Sequence, residues 1–401
     1  MAEQPLSDLR VLDLTHHIAG PYCTKLLAAY GAEVIKVERP GTGDPARHIG
    51  PFLNDEPHPE KSGLFLHLNT GKKSITLDLK SPTGVRVLKE MAAKANILVE
   101  NFAPRVMPSW GLSYEEMEKI NPRLVVTSIS NFGQTGPYRD YKAKEIVSFA
   151  MGGRMYSEGQ PDREPLKYAG NVAQYLAGTV GALATMTATI GSRLMGFGQH
   201  VDVSIQECMM AATDSRLLQW EYCGEEAERE ARREGNYPTG VYFCQDGYIQ
   251  MLGAGERRIR RVFQMLGMPE LMDDPRFATG AARLHHQGDF EAIFLPWLLE
   301  HTREEVFHQG QAAGVPVAPL YTVDEVLKDP QFVARGFFTE VDHPYAGTLT
   351  YPGPPFHKMS ETPWQGWTRA PLLGEHNKEV YCGRLGYSKE DLVRLRACGV
   401  I

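Results

Sequence analysis

No surplus of positive charge marks this chain: Lys and Arg total 42 against 49 Asp and Glu, leaving −7 at pH 7. A nucleic-acid binder would show a basic excess or stripe, so that class of partner is not expected. Local basic clusters that hold a phosphorylated ligand remain compatible with the balance. The opening MAEQPLSDLR lacks the basic-then-apolar layout of a secretory leader. The most apolar helical stretch, from about Val172 to Met195, is interrupted by Gln174, Tyr175, several threonines, Ser192 and Arg193. It falls short of the about 20 apolar residues of a membrane span, so no membrane association is expected. The six cysteines (23, 208, 223, 244, 382 and 398) form no CxxC pair. They read as reduced thiols of a cytoplasmic protein. No His/Cys/Asp cluster has metal-ligand spacing, and the adjacent His16 and His17 point to different sides of a strand end, so no metal is expected. The loop HHIAGPYC after the first apolar run contains no GxGxxG, which argues against a nicotinamide or flavin dinucleotide. No internal repeat or low-complexity tract is present.

What the chain does have is length and alternation. Its 401 residues suggest two or three domains, and 42% hydrophobic with 23% charged residues is ordinary for a globular protein. Arg10–Thr15 reads as a strand, followed by a helix opening at Gly20-Pro21, with proline where its missing N–H costs little. EVIKVE (33–38), SITLDL (74–79), ILVENF (97–102) and LVVTSIS (124–130) are further strands, rich in β-branched residues. Helices between them start at Ser81-Pro82 and at a Ser113/Glu116 capping box. Strands alternating with helices imply βαβ units and a parallel sheet. After the strand 200–205 the character changes. EYCGEEAEREARREGN reads as an exposed helix or linker, and VYFCQDGYIQML as a hairpin turning at Asp246-Gly247. Helices follow, one with a Thr302/Glu305 capping box. The expected organisation is 1–224 as a large domain, 225–330 as a smaller α+β domain, and 331–401 as a C-terminal segment.

The stretch EGQPDREPLKYAGNVAQYLAGTVG (158–181) carries the sharpest signal. It closely resembles the active-site segment of the class III CoA-transferases, the formyl-CoA transferase and carnitine CoA-transferase family. The family has an aspartate nine positions after the proline; counting from Pro165, this chain has Gln174. Further resemblance lies in VLDLTHHIAGPYC, KKSITLDLK, ILVENFAP, LVVTSISNFGQTGP, GVPVAPLYTVDEVL and APLLGEH, in order across nearly the whole chain. The resemblance implies a large Rossmann-like domain with a parallel sheet, a small α+β domain, a C-terminal segment returning to the large domain, and two chains interlocked as a dimer.

It also implies that CoA or an acyl-CoA is a substrate rather than a resident cofactor. Carried over by position, CoA contacts would come from Ile18, Ala19, Arg39, Leu77, Asp78, Leu79, Lys80, Asn101, Phe102, Ala103, Lys142 and Glu145, with Arg105 and Lys144 joining the same set. Arg39, Lys80 and Lys142 suit the phosphates of CoA on chemical grounds. Departures from the family pattern are Lys144 in place of a tyrosine before Glu145, and Ser109 in place of an arginine, with Arg105 a nearby substitute. The glycine-rich flap of some members has its nearest counterpart in Gly253-Ala254-Gly255. Asp162 and Asp214 are read as structural. Arg47 and Arg154 are candidates to meet a second carboxylate of a dicarboxylic substrate.

A carboxylate can attack a thioester and form a mixed anhydride; a carboxamide carries no charge and cannot. The chain is therefore expected to lack a competent nucleophile of its own. The leading reading is a subunit of a two-chain CoA-transferase, of the kind that moves CoA from succinyl-CoA to a diacid such as benzylsuccinate, with a homologous partner carrying the aspartate. The alternatives are a catalytically silent acyl-CoA binder, and an active transferase or racemase altered at Gln174.

Overall fold

The computed structural model describes residues 4–212, 214–226, 228, 229, 237–354 and 357–401, with the side chains of Asp214 and Ser215 excluded. Two compact units emerge. The first comprises 1–159, 165–227 and 336–401, and the second 160–164 and 228–335.

The first unit alternates strand and helix. In chain order these are β1 (Arg10–Asp13), α1 (Ala19–Ala29), β2 (Glu33–Glu38), α2 (Gly63–Leu68), β3 (Lys72–Thr76), α3 (Pro82–Ala92), β4 (Ile97–Glu100), α4 (Val106–Ser109), α5 (Tyr114–Ile120), β5 (Val125–Ser130), α6 (Glu145–Met151), α7 (Val172–Met195) and β6 (His200–Ser204). The six strands form one sheet in the order β3-β2-β1-β4-β5-β6, every pair parallel. Parallel strands covered on both faces read as continuous apolar runs, because successive side chains enter opposite cores. Val11, Val34, Ile97 and Val125 pack with α1 and α7, whereas Leu12, Ile35, Leu98 and Val126 pack with α3 and the C-terminal residues Val380, Tyr381 and Val400.

Local chemistry sets the element boundaries. Ser81 caps α3 by accepting from Gly84 N at 2.9 Å, with Pro82 in the first turn. The strand expected over 74–79 occupies Lys72–Thr76 instead, so Leu77–Lys80 becomes the turn beyond its carboxyl end. The Ser113/Glu116 capping box does not form. Ser113 is the N-cap without a capping bond, and the Glu116 carboxylate is taken by Lys119 at 2.5 Å.

Gly178 and Gly181 serve close packing within the chain. A Cβ at Gly178 would lie 2.6 Å from Ala19 O, and one at Gly181 2.8 Å from Ile129 Cδ1. These two glycines let α7 lie close on α1 and the sheet.

The second unit holds an antiparallel sheet, with β7 (Thr239–Cys244) and β8 (Gly247–Leu252) joined by a turn at Gln245-Asp246, one residue before the expected pair because Gly247 already pairs with Cys244, and β9 (Val317–Pro319) beside β8. Its core is built from aromatic and aliphatic side chains such as Tyr242, Ile249, Phe263, Phe290 and Phe294. The Thr302/Glu305 capping box is present. Much of the charged stretch after Cys223 lies outside the described residues. Among the described residues, no helix is long and apolar enough to cross a membrane.

Candidate active site

Reversal of strand order between β1 and β4 opens a crevice beyond the carboxyl ends of these strands, where open α/β sheets take their ligands. Its walls are held by buried charge. Asp13 at the end of β1 accepts from Thr15 N (2.9 Å), Thr15 Oγ1 (2.5 Å), Thr24 Oγ1 (2.7 Å) and Lys72 Nζ (3.0 Å). Burial alone would raise the Asp13 carboxyl, but Lys36 and Lys72 together hold it far below the ordinary carboxylate range. Lys36 Nζ donates to Thr15 O at 2.7 Å and pairs with Asp44 at 2.9 Å. Asp44 in turn accepts from His17 N at 3.1 Å, which fixes His17 in its left-handed conformation (φ 63°). The loops after β1 and β2 are thus tied to each other before any ligand arrives.

Between them lies a cavity of about 430 Å³. It brings together Arg39, Leu77, Asp78, Leu79, Lys80 and Phe102, six of the residues selected from sequence. It also includes Val37, Thr42, His48 and, most usefully, His16 and Trp110, which sequence reasoning missed. Phe102 packs edge-on to both His16 (centroids 5.1 Å apart) and Trp110 (5.3 Å). Burial lowers the His16 pKa, so its imidazole is neutral near pH 7. Asn101 sits behind this wall, its side chain accepting from His16 N and donating to His16 O, both at 2.8 Å.

The other selected residues lie around the crevice in different states. Ile18 and Ala19 are buried at the start of α1. Ala103 is exposed in the loop after β4, and Arg105 is exposed with its guanidinium forked onto Asp140 (2.9 and 2.6 Å). Lys142 and Lys144 are exposed, with Lys144 at the N-cap of α6. Glu145 reaches the start of α7, where its carboxylate accepts from Ala173 N at 2.9 Å and Gln174 N at 3.1 Å. Two of the four amides left open at a helix start are thereby satisfied by one anion. Gln174 is half-buried in that first turn. The Asp214 side chain lies outside the described residues.

Both arginines expected to meet a substrate carboxylate are engaged by partners within the chain. Arg47 is fully buried. It forks onto Glu38 at 2.7 and 2.8 Å, reaches Glu60 at 2.7 Å and donates to Pro371 O at 3.1 Å, with no surface exposed to a ligand. Arg154 is ion-paired to Glu158 at 2.9 Å and bonded to the Tyr168 hydroxyl at 2.6 Å. Glu158 stands four positions after Arg154, a spacing that pairs charges locally, whereas Glu38 and Glu60 meet Arg47 only through the fold.

Glu100, at the end of β4, is a buried carboxyl that sequence reasoning also passed over. Burial, reinforced by the negative charge of Asp202, raises its pKa to about 7. A carboxyl whose folded pKa exceeds its unfolded value contributes stability that is complete below about pH 4.5 and lost as pH rises through about 7. Glu100→Gln is expected to remove that slope and to raise stability at pH 8 by about 3 kcal/mol, order of magnitude. Urea unfolding at pH 5, 6, 7 and 8 checks this; parallel pH profiles for the two proteins would refute it.

A doubly wound parallel sheet with a cavity at its switch point defines the class of open α/β proteins that take ligands beyond the carboxyl ends of their strands. Within that class the chain belongs to CoA-transferase family III, whose model matches residues 6–377. It is 37% identical to the succinyl-CoA–D-citramalate CoA-transferase of Chloroflexus aurantiacus, over 99% of this chain and 98% of that protein. It is 32% identical to the beta subunit of succinyl-CoA–L-malate CoA-transferase from the same organism, over 99% and 98%. Among solved structures, a CaiB/BaiF family protein from Brucella suis superposes with a TM-score of 0.85 at 30% identity, covering 95% of this chain and 99% of that one.

Proposed function

We propose that this chain is a subunit of a CoA-transferase that moves CoA between succinyl-CoA and a dicarboxylic acid, the nucleophilic aspartate being supplied by a homologous partner chain. The observation that carries this reading is the environment of Gln174. The helix start is built to present a side chain, with its amides held by Glu145, yet the side chain presented is a carboxamide. A carboxamide oxygen can accept a hydrogen bond but cannot form the acyl anhydride.

Three further facts support it. Arg39 and Lys80 share one cavity of a volume suited to part of a CoA molecule. Relatives at 37% and 32% identity act on citramalate and malate, and the latter is named as one subunit of a larger enzyme. The outer side of α7 exposes Leu183, Ile190 and Leu194, at spacings that align them along one face. Such a stripe suits an extensive, apolar chain–chain contact.

Co-expression with an aspartate-bearing homologue, followed by native mass spectrometry and an exchange assay with labelled CoA, tests the proposal. The expected result is a mixed complex that exchanges CoA, and no exchange once the partner's aspartate is changed to asparagine. A homodimer of this chain that exchanges CoA unaided would overturn it. A chain that binds CoA esters but neither exchanges nor pairs would leave the silent acyl-CoA binder as the correct reading.

A further inference from the structure

We propose that Glu100 is a positioning residue of the crevice: its carboxylate holds the loop after β4 in the shape that receives a CoA ester, and protonation weakens that hold. The ligand half of this inference rests on the function proposed above.

The geometry begins at the switch point. Glu100 Oε2 accepts from Phe102 N at 2.7 Å, two residues further along the chain. Phe102 transmits that bond to the cavity, because its ring lies against His16 and Trp110 in the same wall. On the sheet side, Glu100 faces Ser128 of β5 in register, and Ser128 faces Asp202 of β6. The Ser128 hydroxyl bonds Glu100 and also lies 2.9 Å from His200 Nε2. His200 stacks on Tyr114 of α5 with ring centroids 5.6 Å apart, and Asp202 accepts from Gln134 N at 2.9 Å.

The charged groups facing Glu100 from its neighbours are therefore an acid, Asp202, and a histidine reached through a hydroxyl. Among the described residues, no lysine or arginine is bonded or ion-paired to it. The other buried carboxylates of the crevice, Asp13, Glu38 and Asp44, each have a cation. Glu100 alone in this group is left to gain a proton near neutrality, consistent with its raised pKa. The proton converts an acceptor-only carboxylate into a carboxylic acid and weakens the charge-assisted bond to Phe102 N–H.

The experiment has two arms. In ligand-free protein, Trp110 fluorescence (isolated by subtracting a Trp110→Phe variant) is followed from pH 5.5 to 8.5. A transition near pH 7 is expected, absent from Glu100→Gln and moved to lower pH in Asp202→Asn, where the like charge is gone. In the second arm, calorimetry measures CoA and dephospho-CoA affinity across the same range. Binding several-fold tighter at pH 8 than at pH 6 is expected for both ligands in the wild type, and a flat profile in Glu100→Gln. Dephospho-CoA excludes titration of the ligand's own 3′-phosphate as the cause. A fluorescence transition that persists unchanged in Glu100→Gln overturns the inference. So does a midpoint unmoved in Asp202→Asn, which also decides the matter should Glu100→Gln fail to fold. A normal fluorescence transition with no CoA binding at any pH refutes the ligand half and the CoA-binding basis of the proposed function, while the control of the loop by Glu100 stands.

Discussion

Gln174→Asp is expected to give this chain thioester exchange at least about a hundred-fold above its own background. The substitution places a carboxylate in the first turn of a 24-residue helix, where the helix dipole favours negative charge. Glu145 already occupies the two neighbouring amides, so the new carboxylate meets a like charge, offset in part by Lys167, 3.9 Å from Glu145. Both effects act on the reactivity of the aspartate without removing it. Gln174→Asn, which is neutral, is the control and should stay at background. Exchange of labelled CoA with succinyl-CoA reads the gain, and intact-mass analysis detects the covalent adduct. Tight CoA binding with no adduct on the aspartate variant would show that the pocket has diverged beyond the loss of one carboxylate.

Arg47→Ala should be the most destabilising single substitution in the crevice, costing about 3–5 kcal/mol. The side chain is fully buried and satisfies Glu38 through two bonds and Glu60 through a third. Its guanidinium also lies 3.6 Å from the centroid of the Phe65 ring. Truncation leaves Glu38 without the cation that neutralises it, and an uncompensated buried carboxylate is far more costly than the pair is beneficial. Adding Glu38→Gln to Arg47→Ala should recover part of the loss, since the unpaired charge disappears. Urea midpoints of the single and double variants measure both steps. A loss below about 1 kcal/mol, or no recovery in the double variant, would contradict the buried-pair account.

Much of the architecture was legible in the chain because it depends on local chemistry. Runs such as EVIKVE and LVVTSIS can be strands of a covered parallel sheet on the strength of their β-branched content alone. Ser81-Pro82 opens a helix, and the Gln245-Asp246-Gly247 segment carries a hairpin turn. Gln174 was found the same way, as a residue at a counted distance from a proline in a recognisable segment. Side-chain pairing was less legible: Lys119 takes the Glu116 carboxylate from the Ser113 capping box, and Glu38 and Glu60 take the Arg47 guanidinium.

The amino-acid sequence by itself determined the strand–helix alternation, the family, and the carboxamide where a carboxylate is expected. Only the tertiary structure decided which charges meet. Lys72 reaches Asp13 across 59 positions, and Arg47 reaches the carbonyl of Pro371 across 324. Hydrophobic periodicity and capping act over a few residues and leave their mark in the local pattern. A buried ion pair depends on distance through space and on the exclusion of water, and both arise only once the sheet, its two helical layers and the C-terminal segment have come together.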